Sequence, residues 1–486
     1  MKIYKSVSKF IVVLLTCCCA ACTQPKLHTL TILHTNDTHS QVEALEEGKR
    51  DEFCGGYTRR MGLIAQERKA DPNLLVFDAG DFCQCPPYFN FYHGRIEIDA
   101  MNRMGYDVVM LGNHEFDNGV DTLAAILQGA QFPVVCANYD VTNSPLEDIV
   151  KPYTILRRAG MKIGVFGLGI NPKGLVAEHN FYPLQYLDPV EAAQKTADIL
   201  KHQKHCDVVI CLSHLGTHSN DINLAKATKD IDIIIGGHTH AVLDTLINRT
   251  VIGQTGRYLA HIGATHIRMK GNKITSIEYR NIPLSNYAED ANTRALIGQI
   301  ESDPVLGAPV GNFSEDITHT GFENFVSTVI AKATNSDIGF YHYGGLRIPL
   351  HPAGGIKLAT VYNLEPFDTK IHTITMTRDQ IAHMIQAKFN DTLNPKESHR
   401  IELYSTTPYT IVVDNHGEAV DVQLPTLSSG TKYRVALPSY VGQKHPNLKG
   451  NNHTEHNILV VDEILKELSK HQTTPVDNKF YQKILK

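Results

Sequence analysis

Short β-branched apolar runs alternate with longer amphipathic stretches through the first half of the chain. The apolar runs are candidate buried strands at residues 30–33, 74–77, 108–111, 208–212 and 231–235, each bounded by Gly, Asp or Asn. The stretches between them have helical periodicity, at residues 59–69, 96–104, 120–127 and 190–202. Strands that alternate with helices in this way predict an α/β fold.

The length of the chain and its later pattern predict a second, smaller domain. A chain of 486 residues is too long for a single hydrophobic core. Residues 153–169 predict a hairpin around Ala159-Gly160, and short strands continue to residue 284. We therefore place the first domain at residues 28–284, a linker helix at 285–303 and the second domain at 304–486. In the second domain the pattern predicts helices at 322–333, 379–389 and 460–469 and strands at 409–413 and 433–436.

The first 21 residues have the pattern of a signal peptide. Three lysines give a basic start, residues 10–15 form an apolar run too short to span a bilayer, and Ala20-Ala21 precede Cys22. This arrangement resembles the lipobox of bacterial lipoproteins, which implies a signal peptide at residues 1–21 and lipidation of Cys22. The alternatives are a plain signal peptide cut near Ala21, or lipidation at one of the cysteines 17–19. Because residue 24 is not Asp, we expect a cell-envelope lipoprotein anchored to the outer membrane and facing the periplasm.

The charge of the chain argues against a polymeric nucleic acid as a partner. The formal net charge is −5, and it becomes −8 without the three lysines of the leader. No net basic field is therefore available for a phosphate backbone. Of the ten cysteines, six lie outside the leader, at 54, 83, 85, 136, 206 and 211, and they allow 15 pairings that the spacing does not distinguish. The sequence does not set the oligomeric state.

A polar cluster follows each of the five candidate strands. The clusters are His34-Thr35-Asn36-Asp37-Thr38-His39, Asp78-Ala79-Gly80-Asp81, Gly112-Asn113-His114-Glu115-Phe116-Asp117, Ser213-His214-Leu215-Gly216 and Gly236-Gly237-His238-Thr239-His240. Open α/β sheets bind their ligands at the carboxyl ends of the strands, so clusters that are distant in sequence can converge there. One such cluster alone is more often a turn than a site, but five clusters after five strands indicate one shared site.

These clusters supply nitrogen and oxygen ligands for divalent metal ions. The candidate ligands are Asp37, His39, Asp81, Asn113, His214, His238 and His240. Soft thiolates are missing from the set, and mixed nitrogen and oxygen ligation favours Mn, Zn, Fe or Co over calcium and over a structural zinc. Two such ions, about 3.5–4 Å apart, can share a bridging hydroxide and polarise a phosphoryl oxygen. The sequence therefore predicts a centre with two divalent metal ions that attracts an anionic phosphate.

His114 and Asp117 stand three residues apart, a spacing that places both on one side of a helical turn. Asp117 can then hold the tautomer of the His114 imidazole. An imidazole beside the metals can stabilise developing charge or protonate the leaving oxygen. We therefore predict His114 as the catalytic histidine and Asp117 as its partner.

In order and spacing, these motifs resemble the calcineurin-like metallophosphoesterase superfamily, and within it the bacterial periplasmic 5′-nucleotidase/UDP-sugar hydrolase family. The resemblance is carried by Asn36-Asp37-x-His39, Gly80-Asp81, Gly112-Asn113-His114-Glu115, His214 and Gly237-His238-Thr239-His240. It covers residues 28–486 and implies a four-layer αββα sandwich followed by a smaller α+β substrate-binding domain. It also implies that Asp37, His39, Asp81 and His240 hold one metal, that Asp81, Asn113, His214 and His238 hold the other, and that His114 and Asp117 form the catalytic dyad.

The second domain resembles the nucleoside-binding domain of that family, which a hinge swings onto the metals. Gly344-Gly345-Leu346-Arg347 is similar to the Gly-Gly-Ile-Arg element that places an arginine on the substrate, and Glu365-Pro366-Phe367 is similar to the Pro-Phe that follows it. A guanidinium fork pairs well with phosphate or carboxylate oxygens, so Arg347 and Gly345 are candidate substrate-binding residues. A surface salt bridge is the alternative for Arg347.

Two departures from the family pattern bear on the nucleoside pocket. His342-Tyr343 stand where the family has Asn before the two glycines, and residues 437–446 lack the aromatic residue followed by Gly-Gly-Asp-Gly-Tyr. Tyr440 and Tyr404 are the candidate rings that would stack on a base. For each tyrosine, a core or rim position is the alternative.

The sequence thus predicts a metal-dependent hydrolase that releases phosphate from 5′-nucleotides or related phosphoesters. Two alternatives remain. The same centre would act on UDP-sugars or 2′,3′-cyclic nucleotides, or the chain would be an envelope lipoprotein that binds nucleotides without turnover. The intact His114 and Asp117 favour a hydrolase over a binding protein.

Overall fold

A computed structural model describes residues 26–485, except residue 43 and residues 45–54, 85–87, 217–219, 368, 394–401 and 445–452. The predicted signal peptide and Cys22 lie outside the described residues, as do Cys54 and Cys85. The free cysteines among the described residues are Cys83, Cys136, Cys206 and Cys211, and all four are buried. Over the described part of the chain, no helix has the length and the apolar character needed to cross a bilayer.

The first part of the chain is built of strands and helices in alternation. The strands are β1 (Leu27–Thr35), β2 (Leu75–Asp78), β3 (Val108–Met110), β4 (Val134–Val135), β5 (Tyr139–Asp140), β6 (Val150–Lys151), β7 (Tyr153–Arg158), β8 (Met161–Leu168), β9 (Gln185–Tyr186), β10 (Val208–Ser213), β11 (Ile233–Gly236), β12 (Val242–Ile247), β13 (Thr250–Thr255), β14 (His261–Lys270) and β15 (Lys273–Pro283). The helices are α1 (Gly56–Ala70), α2 (Tyr88–Tyr92), α3 (Arg95–Met104), α4 (Gly119–Leu127), α5 (Glu178–Phe181), α6 (Pro189–Asp198) and α7 (Ile222–Ala227). A π-helical turn, Ile199–Gln203, extends α6.

Two β-sheets stack face to face in this part of the chain. Within the described residues, one sheet has seven strands in the order β15-β14-β1-β2-β3-β4-β6, and the other has six in the order β12-β13-β11-β10-β8-β7. In the first sheet β1, β2, β3, β4 and β6 are parallel, and in the second β8, β10, β11 and β13 are parallel. β7 and β8 form the predicted hairpin. All five predicted strands and all four predicted helices are present.

Successive side chains of the parallel strands face opposite layers, because side chains alternate along a strand. Ile32 and Phe77 of the first sheet meet Ile210 of the second in a shared apolar core. Leu33 points the other way and packs in a core with α1, α3 and α4, while Val209 packs with α6 and α7. Strands covered on both faces are apolar throughout, which explains the continuous runs in the sequence. The result is the predicted α/β sandwich of four layers.

The second part of the chain contains shorter elements. Its helices are α8 (Ala291–Glu301), α9 (His319–Ala333), α10 (Leu358–Leu364), α11 (Arg378–Thr392), α12 (Ser439–Lys444) and α13 (Val460–Ser469). Its strands are β16 (Pro309–Phe313), β17 (Ile317–Thr318), β18 (Ile338–Gly339), β19 (Tyr341–His342), β20 (Leu350–His351), β21 (Gly354–Lys357), β22 (Lys370–Thr377), β23 (Leu403–Tyr404), β24 (Tyr409–Val413), β25 (Ala419–Gln423), β26 (Lys432–Pro438), β27 (His453–Leu459) and β28 (Gln482–Leu485).

A mixed sheet in the order β18-β26-β22-β27 organises this second domain. Ile374 and Val435 face α11 in one apolar core, and Ile371 and Ala436 face α9 and α13 in another. Helices on both faces of a small sheet give the α+β domain that the sequence predicts. α8 forms within the predicted linker segment.

Side chains of α2 connect the two parts of the chain. The rings of Phe91 and Tyr362 meet edge to face, with centroids 5.0 Å apart. The hydroxyl of Tyr92 donates a hydrogen bond of 2.5 Å to Oδ2 of Asp303, which follows α8. These contacts set the second domain against the first near the linker.

Candidate metal centre

The five polar clusters meet beyond the carboxyl ends of the parallel strands, where backbone hydrogen bonds join them. The amide of Asp37 donates to Gly80 O and the amide of His39 donates to Asp81 O, each at 3.0 Å. The amide of His238 donates to the Asp37 carboxylate at 3.0 Å. The first, second and fifth clusters therefore lie side by side.

At this place, three groups of side chains have ligand atoms within 4.8 Å of one another. They are Asp37 with His39 and His240, Asp81 with His214 and His238, and His39 with Asp81 and His114. The third group joins the first two, because it shares a residue with each. Nδ1 of His238 also lies 3.1 Å from Oδ1 of Asn113. All seven ligands predicted from the sequence are thus brought together.

The first group has the geometry of side chains that share a cation. Nε2 of His39 and Nε2 of His240 face each other at 3.0 Å. Oδ1 of Asp37 lies 3.9 Å from the first of these nitrogens and 3.5 Å from the second. Two imidazole nitrogens and a carboxylate oxygen that point at one spot suit a borderline divalent metal. The residues present therefore fit the metal that the sequence predicts.

The second group is more deeply buried. Nε2 of His214 lies 2.9 Å from Oδ2 of Asp81, with exposed fractions of 0% and 2% for the two side chains. Burial opposes ionisation of Asp81, but the His214 and His114 imidazoles outweigh it and hold the pKa of Asp81 well below its usual range. Asp81 belongs to two of the three groups, which is the position that a bridging carboxylate needs.

Burial also sets the state of two histidine ligands. It lowers the pKa of His39 to about 3 and the pKa of His238 to about 4. A neutral imidazole is the form that binds a metal, so no proton has to be displaced from these two rings near neutral pH.

Glu115 holds the loops that carry Asp81 and Asn113, a role that the sequence analysis missed. Its carboxylate accepts hydrogen bonds from the amides of Asp81 at 3.0 Å, Cys83 at 2.9 Å and Gly112 at 2.6 Å. The loops approach closely, and a Cβ at Gly112 would lie 2.2 Å from Oδ1 of Asp81. Glu115 belongs to the same motif as His114, but the direction of its side chain cannot be read from the motif.

The predicted dyad is formed on a 3₁₀ turn, His114–Phe116, after β3. Nδ1–H of His114 donates to Oδ2 of Asp117 at 2.7 Å, which leaves Nε2 of the ring available. The amide of His114 donates to Oδ1 of Asp81 at 2.9 Å, and the ring of His114 lies 5.5 Å from that of His39. The catalytic candidate is therefore adjacent to both metal-ligand groups, with 23% of its side chain exposed.

The segment around α5 supports the dyad from behind. Asn180 Nδ2 donates to the backbone oxygen of Asp117 at 2.7 Å. Phe181 packs edge to face on Phe116 and on Tyr139, with centroids 5.0 and 5.1 Å apart. These contacts fix the turn that carries His114, and no motif in the sequence indicates them.

The predicted substrate residues lie in the second domain. Gly345 ends a 3₁₀ turn, Tyr343–Gly345, and a Cβ there would come within 2.4 Å of the His342 ring. The guanidinium of Arg347 lies over the ring of Phe367, 5.1 Å from its centroid. Among the described residues, no hydrogen bond, ion pair or ring contact joins Arg347 to the metal-ligand groups.

The two predicted stacking tyrosines occupy different surroundings. Tyr440 stacks on His342, with centroids 5.3 Å apart and an interplanar angle of 15°. Tyr404 is 9% exposed and contacts the rings of Tyr343 and Phe480. Tyr343 in turn stacks on His319 at 4.1 Å. Aromatic rings therefore surround the Gly344-Gly345 turn.

Two sequence families match the chain, one over each domain. Residues 30–242 match the calcineurin-like phosphoesterase family, and residues 297–449 match the 5′-nucleotidase C-terminal domain. The first match contains all seven candidate ligands and the His114–Asp117 dyad. The second contains Arg347, Tyr404 and Tyr440.

Two curated relatives and one solved structure show how far the likeness extends. Snake venom 5′-nucleotidase of Naja atra is 37% identical over 224 residues, which are 44% of this chain and 42% of that relative. The 5′-nucleotidase of Rattus norvegicus is 26% identical over 520 residues, covering 94% of this chain and 88% of the relative. The 5′-nucleotidase precursor of Thermus thermophilus has the same fold, with a TM-score of 0.73 at 22% identity, over 94% of this chain and 99% of that chain. The chain spans about a third to about half of the length of the first curated relatives it matches, from 32% to 54%.

Proposed function

We propose that this chain, which belongs to the calcineurin-like phosphoesterases and carries a 5′-nucleotidase C-terminal domain, releases phosphate from 5′-nucleotides with two divalent metal ions. One observation carries the proposal. Asp37, His39 and His240 form one ligand group, Asp81, His214 and His238 form another, and both adjoin the His114–Asp117 dyad. A nucleotide-binding protein without turnover has no use for such a dyad.

Each side chain of the site has its own role in the proposed reaction. Bound divalent ions would neutralise phosphate charge and supply an activated water. Asp117 accepts a hydrogen bond from Nδ1–H of His114 and so orients Nε2 of that ring into the site. When the ring is protonated, Nε2–H is the group that gives its proton to the leaving ester oxygen or stabilises charge on it. Glu115 keeps the loops of Asp81 and Asn113 in register during the reaction.

Arg347 is the residue that we assign to substrate recognition in the second domain. A guanidinium beside an aromatic ring and a glycine turn can pair with phosphate oxygens while the ring faces the base. Tyr404, Tyr440 and Gly345 complete the proposed pocket.

The first test is phosphate release by the metal-stripped protein without its leader. The substrates are AMP, UMP, UDP-glucose, a 2′,3′-cyclic nucleotide and p-nitrophenyl phosphate, each with and without added Mn, Zn or Co. Metal-restored turnover of AMP or UMP, well above that of p-nitrophenyl phosphate, is the expected result. Preference for UDP-glucose or the cyclic nucleotide would reassign the substrate within the same centre, and turnover that survives chelation would refute the metal mechanism.

Two measurements address the dyad and the number of metal ions. His114→Ala is expected to abolish turnover while the protein still binds two metal ions per chain by elemental analysis. His205→Ala, an exposed histidine that precedes β10, is the matched control and should turn over normally. Wild-type turnover in His114→Ala, or one metal ion per chain, would contradict the assignment.

The proposed cellular location of the protein rests on its first 22 residues. We assign residues 1–21 to a signal peptide and Cys22 to lipidation, which would hold the enzyme at the outer membrane facing the periplasm. Expression with a labelled fatty acid should label the wild type and Cys19→Ser but not Cys22→Ser. Label that remains in Cys22→Ser would move the anchor to another cysteine.

A further inference from the structure

A cavity lies between α1, α3 and α8, apart from the metal centre. Its volume is about 650 Å³, a size that suits a small organic ligand. Among the described residues that line it, none is a candidate metal ligand or a member of the dyad. Because α8 is the linker helix, the cavity sits where the linker meets the catalytic domain.

The inner wall of this cavity is apolar. Met61 of α1, Met104 of α3 and Ile297 of α8 supply thioether and aliphatic surface. Tyr57 also lines the cavity and is 2% exposed, and its hydroxyl makes no hydrogen bond with the residues that the structure describes. This hydroxyl is not among the solvent-excluded polar atoms that lack a partner, so it can hydrogen-bond water or a polar ligand atom. The cavity floor therefore combines an apolar surface with one unused hydrogen-bonding group.

Three charged side chains of α3 stand along the rim. Arg95, Asp99 and Arg103 follow each other at four-residue spacing, so they share one face of the helix. All three are exposed, and within the described ranges none of them forms an ion pair or a side-chain hydrogen bond. The rim thus presents a positive, a negative and a positive group in a row.

The other two carboxylates of the cavity already have partners within the protein. Asp290 caps α8 by accepting from the amide of Thr293 at 2.8 Å. Asp303 accepts from the hydroxyl of Tyr92 at 2.5 Å. Arg95, Asp99 and Arg103 are therefore the charged groups that remain available to a ligand.

We propose that this cavity binds a zwitterionic small molecule with an apolar ring, of the chemical class of an aromatic amino acid. Its carboxylate pairs with Arg95 or Arg103, its ammonium pairs with Asp99, and its ring lies against Met61 and Met104. A simple anion would meet Asp99, and a simple cation would meet two arginines, whereas a zwitterion satisfies both signs. A ligand bound there touches α3 and α8 together and so ties the linker to the catalytic domain.

The absence of tryptophan from the sequence gives a direct binding assay. The fluorescence of an indole ligand can be followed without a tryptophan signal from the protein. The probes are L-tryptophan, tryptamine, which lacks the carboxylate, and indole-3-propionate, which lacks the ammonium. Saturable binding of L-tryptophan is expected, with each of the other two bound about tenfold more weakly because one charged contact is lost. No saturable binding of L-tryptophan, or equal or tighter binding of either analogue, would overturn the proposal.

Variants of the wall and the rim locate the bound probe. Ala100 lines the cavity and is 5% exposed, so Ala100→Leu fills part of the space and should abolish binding. The double variant Arg95→Ala/Arg103→Ala and the single variant Asp99→Asn should each weaken binding about tenfold. Lys273→Ala, on exposed β15, is the control and should bind like the wild type.

The wall variant and the rim variants are used together so that the test remains valid if one of these proteins misfolds. Ala100→Leu is accepted only if its urea midpoint matches that of the wild type. If it fails that check, the rim variants on the exposed face of α3 decide alone. Wild-type affinity in the double arginine variant would place the probe elsewhere and overturn the proposal. Because the readout is binding, the result does not depend on the proposed phosphatase activity.

Discussion

Five of the candidate metal ligands hold backbone conformations that side chains normally avoid. Asp37, His39, Asp81, His238 and His240 have φ angles of 50°, 45°, 54°, 72° and 55°. Each such residue costs on the order of 1–3 kcal/mol, and the cost persists only where surrounding contacts enforce it. Here those contacts are backbone hydrogen bonds between loops, such as His39 N to Asp81 O. These five are among 16 described non-glycine residues with positive φ, and they lie where the ligands must converge.

Substitution of Glu115 tests how strongly the loops that carry the metal ligands depend on its carboxylate. Its carboxylate accepts from three backbone amides, whereas Gln would present an NH₂ group to some of these donors. We expect Glu115→Gln to weaken metal binding about tenfold to a hundredfold and to lower turnover in parallel. Isothermal titration with Mn or Zn measures the first effect and phosphate release the second.

Glu278→Gln provides the matched control for that measurement. Glu278 is exposed and pairs with Arg268 at 2.8 Å on β14 and β15. Its substitution should leave metal affinity unchanged. Equal affinities for Glu115→Gln and the wild type would show that the loops hold without the carboxylate.

His34 should make the protein sensitive to acid. It is fully buried, both ring nitrogens lack hydrogen-bond partners among the described residues, and its ring stacks on Tyr279 at 5.5 Å. Burial lowers the pKa of His34 to about 3, against about 6.5 in an unfolded chain. Below about pH 6.5 the unfolded chain takes up a proton that the folded chain cannot hold, so the free energy of unfolding falls as the pH drops from about 6.5 toward 3.

Replacing this imidazole should remove its share of the acid sensitivity. At about pH 5 the loss due to His34 amounts to about 2 kcal/mol. His34→Leu should therefore gain stability relative to the wild type on going from pH 7 to pH 5, as measured by urea unfolding. If the two proteins lose stability in parallel, the buried histidine is not the titrating group.

At the scale of secondary structure, burial on two faces decides which elements can be predicted. The central strands of the first domain lie between two apolar cores, so their sequences are continuous apolar runs. β22 and β27 were not predicted, because histidine and threonine interrupt their apolar pattern. In the structure these polar side chains pair across strands, as Thr373 does with His456 at 2.9 Å. Such pairing depends on residues about 80 positions apart, which a local pattern does not contain.

α11 was predicted from its periodicity, and its beginning rests on a capping box. The Thr377 hydroxyl accepts from the amide of Gln380 at 3.3 Å, and the Gln380 side chain accepts from the amide of Thr377 at 2.8 Å. Thr377→Ala leaves one helix amide without its partner and should cost about 1 kcal/mol. Thr377→Ser keeps the hydroxyl and should recover most of the loss in the urea midpoint. A shift of the same size in both variants would assign the effect to the methyl group instead.

At the scale of the whole molecule, the candidate metal centre joins strands from both sheets. β1, β2 and β3 of one sheet and β10 and β11 of the other deliver its ligands. A metal that binds only the folded chain stabilises it by mass action, by about 2.7 kcal/mol per site at a hundredfold excess over the dissociation constant. Chelation should therefore lower the melting temperature, and Mn, Zn or Co should restore it. Asp81→Ala should lose this response, and a full response in that variant would place the stabilising ion elsewhere.

The two domains differ in how much of their function the sequence reveals. In the first domain the ligands follow strands directly, so strand order and parallel topology predict their convergence. In the second domain Tyr343, Tyr404 and Phe480 come from separate segments whose packing no short motif encodes. The sequence therefore predicts the candidate metal centre more completely than the proposed substrate pocket.

Variants of Arg347 test whether the proposed pocket of the second domain acts together with the candidate metal centre. Its guanidinium lies over Phe367 on the second domain, with no described contact to the metal-ligand groups, so it reaches a substrate only if the domains act together. Arg347→Ala removes both the positive charge and the bidentate guanidinium group. Arg347→Lys keeps the charge and removes only the bidentate geometry. If Arg347 binds substrate phosphate, kcat/KM for AMP should fall about tenfold or more in both variants, mainly through KM, because a bidentate contact is lost in each. Arg434→Ala, an exposed arginine on β26, should behave as the wild type. Unchanged KM in Arg347→Ala, with metal binding intact, would mean that the first domain recognises its substrate alone.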